Sequence, residues 1–329
     1  MYATAAVLFC FLTLSSAETD EFIKNMKAYS EQFKSFESVV KITGVIEPLF
    51  KNRDEAIAYE KNNIQSIVKS SNRKITFEQL KDRLEKNVNY YVSPQKLGPT
   101  IYTCKCLDIN TYLLTIFSTQ ENACMQIKYA EEGLVADYEL APSKTEVSSL
   151  TFRQNRNETR YHGIEQFYYE MIYGMDLSNV KLNTNNEGMK ILQINLGKNT
   201  NIELLFDKEH PCFPTRISHN SPSSRTVYEN KQFYQIEDTL FIPKICALTN
   251  YKSQPVKGEW EKEGNHQFEL TSFHFIGELK KNDLNYDVPI STKVHSELNN
   301  TSFLVTAEKF GNSPKFQDIL NFVKKDEKK

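Results

Sequence analysis

The histidines are the first residues of this sequence that could do chemistry, either as catalytic bases or as metal ligands. His266 and His274 could share one strand face with Glu269. None of the six histidines stands in the H-E-x-x-H spacing of a metal site, and the sequence has neither a G-x-S-x-G elbow nor a glycine-rich phosphate loop. Scattered surface histidines are therefore the simpler interpretation. The others are His162, His210, His219 and His295.

The cysteines give a second set of candidate ligands. Beyond the first seventeen residues they are Cys104, Cys106, Cys124, Cys212 and Cys246. Cys104 and Cys106 would point to one face of a strand and could bind a metal with Cys124, but the C-x-x-C pairs of structural zinc sites are missing. Spacing does not fix a disulfide pairing. We expect buried thiols or a single disulfide, and no metal, cofactor or catalytic residue.

The first residues predict export. Ala5 to Leu14 form an apolar run of signal-peptide length, and Ser15-Ser16-Ala17 is a small-x-small cleavage signature. We predict a signal peptide over 1–17 and a periplasmic or extracellular protein that begins at Glu18; the alternative is a buried N-terminal helix. No later stretch has eighteen apolar residues, so we expect no transmembrane anchor.

Charge excludes one class of partner. The chain has 40 basic and 42 acidic residues and a formal net charge of −2, which gives no electrostatic reason to expect nucleic acid binding. Sequons at Asn157, Asn299 and Asn300 would be glycosylated only in a eukaryotic secretory pathway, and the sequence does not identify the source.

The region after the cleavage site predicts a helix that leads directly into a strand. Residues 52–88 then predict a helical insertion, in which Thr76-x-x-Gln79 is a capping box. This insertion would cover one opening of a sheet or act as a mobile lid. The alternation from Phe36 to Ile46 is typical of a strand. The helix is indicated by a stripe of Phe22, Met26, Tyr29 and Phe33.

Most of the remaining chain reads as short strands separated by turn residues, which is typical of an antiparallel sandwich or barrel. Glu132-Gly133 and Gly264-Asn265 are predicted turns, Ile164 to Tyr173 is a predicted aromatic helix, and a stripe beginning at Phe316 predicts a short surface helix. The predicted strands are Ile101 to Leu107, Tyr112 to Ser118, Ala123 to Ala130, Leu134 to Leu140, Val147 to Arg153, Ile191 to Leu196, Ile202 to Phe206, Thr215 to His219, Thr226 to Ile236, Thr239 to Tyr251, Trp260 to Glu263, Gln267 to Phe275 and Ser302 to Ala307.

The order of these elements resembles the LolA-like superfamily, the lipoprotein-carrier proteins of the bacterial cell envelope and their exported relatives. The stretch Ile202 to Tyr251 is similar in having a D-x-x-x-x-x-x-P-x-R turn, a strand that bears Tyr228, and the run Tyr234 to Pro243. The segment Phe275 to Val294 resembles their closing segment. The turn residues are Asp207, Pro214 and Arg216.

The resemblance implies an α+β fold: a large curved antiparallel sheet, an unclosed β-barrel, covered by helices. We expect one half-barrel domain over 18–310, with the insertion at 52–88 and a charged tail or helix at 311–329. The resemblance also implies a non-catalytic protein that binds a hydrophobic ligand, a lipid or lipoprotein acyl chain, although it assigns no ligand-binding residue. The alternatives are a protein-interaction or structural module of the cell envelope or exterior, and a secreted enzyme with an unrecognised site.

Overall fold

One sheet extends through most of the chain. The computed structural model describes residues 12–13, 16–30, 32–70, 77–108, 111–118, 125–131, 133–140, 148–154, 180–197, 199–237, 240–254 and 259–326. The helices are α1 Ser16–Ser30, α2 Arg53–Ser70, α3 Phe77–Val92, α4 Ala307–Phe310 and α5 Phe316–Asp326, with a 3-10 turn at Lys281–Asp283. The predicted helix from Ile164 to Tyr173 lies outside the described residues.

The strands number sixteen among the described residues. They are β1 Leu12–Thr13, β2 Phe36–Ile46, β3 Gln95–Asp108, β4 Thr111–Ser118, β5 Met125–Glu131, β6 Leu134–Glu139, β7 Ser149–Gln154, β8 Val180–Thr184, β9 Lys190–Gly197, β10 Thr200–Phe206, β11 Arg216–Asn220, β12 Ser224–Glu237, β13 Leu240–Gln254, β14 Glu259–Phe275, β15 Lys293–Ser296 and β16 Thr301–Leu304.

The sheet consists of two meanders joined at one strand pair. Strands β2 to β7 form one meander and β8 to β14 the other, and β14 lies against β2 with Phe275 opposite Phe36. The strand order is linear from β1 to β16, so the sheet is unclosed, as expected. It is mixed rather than wholly antiparallel, because β15 runs parallel to β7.

Helix α1 lies across one face of this sheet, which we call the helix face. The Phe22 ring meets the Phe206 ring of β10 at 5.0 Å, and the Phe33 ring meets the Phe273 ring of β14 at 6.1 Å. Within the helix itself, Phe22 contacts β10, and the Tyr29 hydroxyl is hydrogen-bonded to Phe241 of β13, three strands further along the sheet. The helix therefore crosses the strands, and its predicted apolar stripe is buried in the first core.

The second core lies on the opposite face of β4 to β7, which we call the outer face. Leu113 faces this core while its neighbour Leu114 faces the first, because successive strand residues point to opposite sides. The prediction of a surface helix beyond Phe310 is wrong, because one face of α5 packs into this second core. Its stripe residues are all 0–1% exposed: Phe316, Ile319, Leu320 and Val323.

Several element boundaries follow the sequence closely, and one predicted turn does not exist. Strand β2 has the predicted ends, and α2 and α3 occupy the predicted insertion. Gly264 and Asn265 lie inside β14, a single strand of 17 residues, rather than in a turn between two strands. No helix in the described ranges is both long and apolar enough to cross a membrane.

Candidate functional site

Burial along β2 changes steadily on the helix face. Phe36 and Val40 are 0% exposed beneath α1, Ile42 is half-buried, and Ile46 at the far end is 38% exposed. Since these residues are an even number of positions apart, they lie on one side of the strand. The helix thus seals one end of the apolar face and leaves the other end increasingly accessible.

The neighbouring strands show the same gradient. On β3 the buried Cys104 is followed outward by the half-buried Tyr102, and on β4 the buried Leu114 is followed by Ile116. On β14 Leu270 is buried and Phe268 is half-buried. Four half-buried side chains on adjacent strands therefore form what we call the open end: Ile42, Tyr102, Ile116 and Phe268.

Strand register brings the four side chains of the open end together. Ile42 pairs directly with Phe268, and Tyr102 pairs directly with Ile116. Directly paired side chains on one face have Cβ atoms about 4.5–5.5 Å apart, so each pair is in contact. The two pairs lie on adjoining strands, where Tyr102 is opposite Val40 and therefore diagonal to Ile42, whose direct partner on β3 is Thr100. The result is a mainly apolar surface four strands wide, with Thr100 as the neighbour of Ile42 on β3.

The polar groups at the open end are uncharged at neutral pH. Burial raises the pKa of Tyr102, which keeps its hydroxyl protonated. His266 lies two residues from Phe268 on β14. Burial lowers the pKa of His266, so its imidazole is neutral. His266 lies opposite Gly44, where a Cβ would come 2.6 Å from the Asn265 carbonyl oxygen. The absence of a side chain at Gly44 allows the two strands to approach this closely.

The helical insertion emerges beside the accessible end of β2. The chain leaves the sheet after Ile46 and returns at Gln95, and these two residues pair directly. Phe50 N–H donates to the Tyr91 carbonyl oxygen at 3.2 Å, which fixes the start of the insertion against the end of α3. The α2–α3 hairpin is therefore attached where the apolar face opens.

Glu60 links the two helices of the hairpin through hydrogen bonds. Its carboxylate is buried between them and accepts hydrogen bonds from Asn87 Nδ2 at 2.7 Å and from the Tyr91 hydroxyl at 3.0 Å. Burial acts to raise the pKa of Glu60, but these bonds, with those from Asn63 and Arg83, outweigh it and lower the pKa. The ionised carboxylate thus holds the hairpin together.

An aromatic cluster marks the base of the hairpin. The Phe50 ring lies 5.2 Å from the Tyr59 ring, and Tyr59 lies 5.6 Å from Tyr91. Leu49, Tyr59 and Tyr90 are each more than 40% exposed. The base of the hairpin therefore presents three large, exposed apolar side chains, of which Tyr59 lies on α2 and Tyr90 on α3.

The histidines singled out by the sequence do not form a site with one another. His266 lies on the helix face, whereas a bulge after Leu270 reverses the alternation and places His274 on the opposite face. There His274 Nε2 lies 3.4 Å from Glu37 Oε2, on β2. Glu269 is on the side opposite His266, because the two are an odd number of positions apart on one strand. The expected shared face is therefore wrong.

The other described histidines lie on separate elements. His210 Nδ1 contacts Asp207 Oδ1 at 3.2 Å, and its ring stacks on Phe233 at 3.8 Å. His295 Nδ1 lies 2.9 Å from the Ser302 hydroxyl in the last hairpin. His219 is on β11, and His162 lies outside the described residues.

The cysteines within the described residues are present as thiols. Cys104 and Cys106 share the helix face, as predicted, and both are buried. Burial raises the pKa of Cys246 to about 12 and also raises that of Cys212, which disfavours the reactive thiolate. No group of three or more metal-ligating side chains occurs in the described ranges, and Cys124 lies outside them.

The residues that carry the LolA-like resemblance shape the turn before β11. Asp207 Oδ1 accepts a hydrogen bond from His210 N–H at 2.6 Å, and Asn230 Nδ2 donates to the Pro214 carbonyl oxygen at 2.6 Å. In the run Tyr234 to Pro243, the Phe241 carbonyl oxygen accepts a hydrogen bond from the Tyr29 hydroxyl of α1, and the Phe241 N–H donates one to the same hydroxyl, both at 2.7 Å. These contacts organise the turn and anchor α1 to β13.

No family model matches the chain, and a search of curated proteins finds no match.

The sequence does not predict the open end, although its residues follow ordinary strand alternation. The missing information was which part of the face α1 covers, and this depends on where the helix crosses the sheet.

Proposed function

We propose that this chain is an exported, non-catalytic protein that binds an apolar ligand on the helix face of its unclosed sheet. The observation that carries the proposal is the burial gradient from Val40, which is 0% exposed, to Ile46, which is 38% exposed. The apolar face continues beyond the part of the sheet that α1 covers, and the packing beneath α1 does not require this extension. An acyl chain laid along the open end would complete the burial.

The chemistry of the open end favours an acyl chain over a polar ligand. Ile42, Ile116 and Phe268 supply apolar contact, while the neutral Tyr102 hydroxyl and His266 imidazole supply one polar group each. Each buried CH₂ group contributes roughly 0.8 kcal/mol, so ten of them contribute roughly 8 kcal/mol before ordering costs. The resemblance to lipoprotein carriers supports a lipid or a lipoprotein acyl chain as the ligand.

Mass spectrometry of a solvent extract tests this proposal. The chain from Glu18 is expressed in exported form, and we expect a stoichiometric acyl-chain species to co-purify. Phe268→Asp places a charge on the half-buried surface and should remove that species. Ile290→Asp is the matched control, because Ile290 is 41% exposed in a loop away from the open end.

The outcomes separate the alternatives, provided that circular dichroism shows each variant folded. An empty extract, together with no uptake of a fluorescent fatty acid, would overturn the proposal. Equal loss of lipid from both variants would mean that the ligand binds elsewhere.

A second candidate function is a protein-interaction module of the cell envelope or exterior. The exposed patch of Leu49, Tyr59 and Tyr90 favours it, since large aromatic residues are enriched at protein interfaces. Replacing Tyr59 and Tyr90 by Ser should abolish capture of an envelope protein and leave bound lipid unchanged. Phe268→Asp should have the opposite effects, so the two functions can be distinguished.

A further inference from the structure

A lysine near the C-terminus lies among three phenylalanine rings. Lys309 Nζ is 3.5 Å from the Phe322 ring centroid, 4.4 Å from that of Phe303 and 5.6 Å from that of Phe310. All three distances fall within the roughly 6 Å over which a cation is attracted by the face of an aromatic ring. One ammonium group therefore interacts with three rings at once.

Three different elements build this arrangement, which we call the phenylalanine cage. Phe303 comes from β16, Phe310 ends α4, and Phe322 lies on α5. The ring centroids of Phe303 and Phe322 are 5.2 Å apart, those of Phe310 and Phe322 5.6 Å, and those of Phe303 and Phe310 5.9 Å. Phe303 and Phe310 are partly buried against the second core, and Phe322 is half-buried on α5, so the fold holds the rings in place.

Lys309 occupies the cage without being fixed there. It is an exposed residue of a four-residue helix, which is followed by Gly311 with a φ of 79°. Among the described residues its ammonium makes no ion pair, so the rings are its protein partners. A flexible, strongly hydrated lysine can leave such a site at little cost.

We propose that the phenylalanine cage binds a quaternary ammonium group and that Lys309 occupies it when no ligand is bound. A quaternary ammonium has no N–H group to keep hydrated, and its charge spreads over methyl groups that contact ring faces directly. The group could belong to free choline or to a phosphocholine lipid headgroup. This site lies on the outer face, and the proposal does not rest on ligand binding at the open end.

The test compares choline with its neutral isostere, 3,3-dimethyl-1-butanol, by NMR titration of the folded chain. Lys309→Ala empties the cage, and we expect it to bind choline with a Kd of about 1 mM, roughly tenfold tighter than the unmodified chain. The neutral alcohol should bind at least about tenfold more weakly than choline, because it lacks the cation. Lys325→Ala removes one exposed lysine outside the cage and should leave choline binding unchanged.

A second variant protects the test against simple loss of fold. Phe322→Leu in the Lys309→Ala background keeps an apolar side chain but removes one ring, and it should abolish choline binding. Equal binding of choline and the alcohol would overturn the proposal, as would the absence of choline binding to folded Lys309→Ala. Flotation with phosphocholine vesicles, compared with phosphoglycerol vesicles, then shows whether a lipid headgroup supplies the cation.

Discussion

At the scale of single residues, Glu131 has the most consequential electrostatic environment. Its carboxylate is only 8% exposed and accepts hydrogen bonds from Lys281, Lys324 and, at 3.0 Å, the Tyr129 hydroxyl. Burial acts to raise the pKa of Glu131, but the hydrogen bonds and charges of the two lysines outweigh it and lower the pKa. The residue ties β5 to the 3-10 turn and to α5, so one carboxylate helps to hold the C-terminal segment.

Replacing this carboxylate should destabilise the protein in a pH-dependent way. For Glu131→Gln we expect a loss of about 1–3 kcal/mol in the free energy of unfolding at pH 7, because the charge-assisted bonds are lost. A lowered folded-state pKa means that the stabilisation is complete above the unfolded value, about 4.3, and disappears as the pH falls through the folded value. Urea unfolding at pH 7 and below pH 4 measures this difference.

The control for this experiment is Glu278→Gln, which changes an exposed carboxylate in the loop after β14. It should change stability by less than about 0.5 kcal/mol at either pH. A Glu131→Gln penalty that stays constant as the pH falls would show that the carboxylate does not stabilise the fold through its charge.

At the scale of elements, the contact between β2 and β14 depends on two glycines. A Cβ at Gly264 would lie 2.9 Å from the Val45 carbonyl oxygen, and one at Gly44 would lie 2.6 Å from that of Asn265. Both neighbours are backbone atoms, so neither can rotate away. The close approach joins the two meanders at the accessible end of the helix face.

We expect Gly264→Ala to lower the free energy of unfolding by about 1–3 kcal/mol, since the strands must separate to admit the methyl group. Gly277→Ala is the matched control: no atom lies within 4 Å of its Cβ position, and the change should be neutral or slightly stabilising. Thermal unfolding of the two variants measures the difference. Similar midpoints for both would contradict the close approach.

These elements show how far the sequence could predict the fold. The ends of β2 were predicted because the residues from Phe36 to Ile46 alternate in the manner of a strand. The turn predicted at Gly264 is wrong, although glycine beside asparagine is typical of a turn. Its place inside β14 is explained by the close approach of the partner strand β2. Strands β8 and β15 were missed, since runs of four or five residues carry little periodic signal.

At the scale of the whole molecule, the two cores share strands. In β4, Leu113 faces the second core and Leu114 the first, and in β6 Val135 and Ala136 are divided in the same way. The candidate site could not be predicted at this scale from the sequence, because its exposure depends on the position of α1 across strands that are distant in the chain. The same sharing predicts that the cores unfold together.

Leu320→Ala tests this coupling from the end of the chain. Leu320 is 1% exposed in the second core, so its truncation should cost about 2–5 kcal/mol, whereas Asn321→Ala on the exposed side of α5 should cost less than about 0.5 kcal/mol. The single tryptophan, Trp260, lies on β14, six strands away from β7 in the sheet. Its fluorescence therefore reports on the part of the sheet that the second core does not contact.

If the chain is one cooperative domain, Leu320→Ala shifts the urea midpoint equally by Trp260 fluorescence and by far-ultraviolet circular dichroism. We expect this result, because β4 to β6 cannot lose one packed face without weakening the other. A fluorescence midpoint that stays unchanged while the dichroism signal shifts would contradict it. The C-terminal segment would then be an independently unfolding unit, and the phenylalanine cage would be able to open without disturbing the helix face.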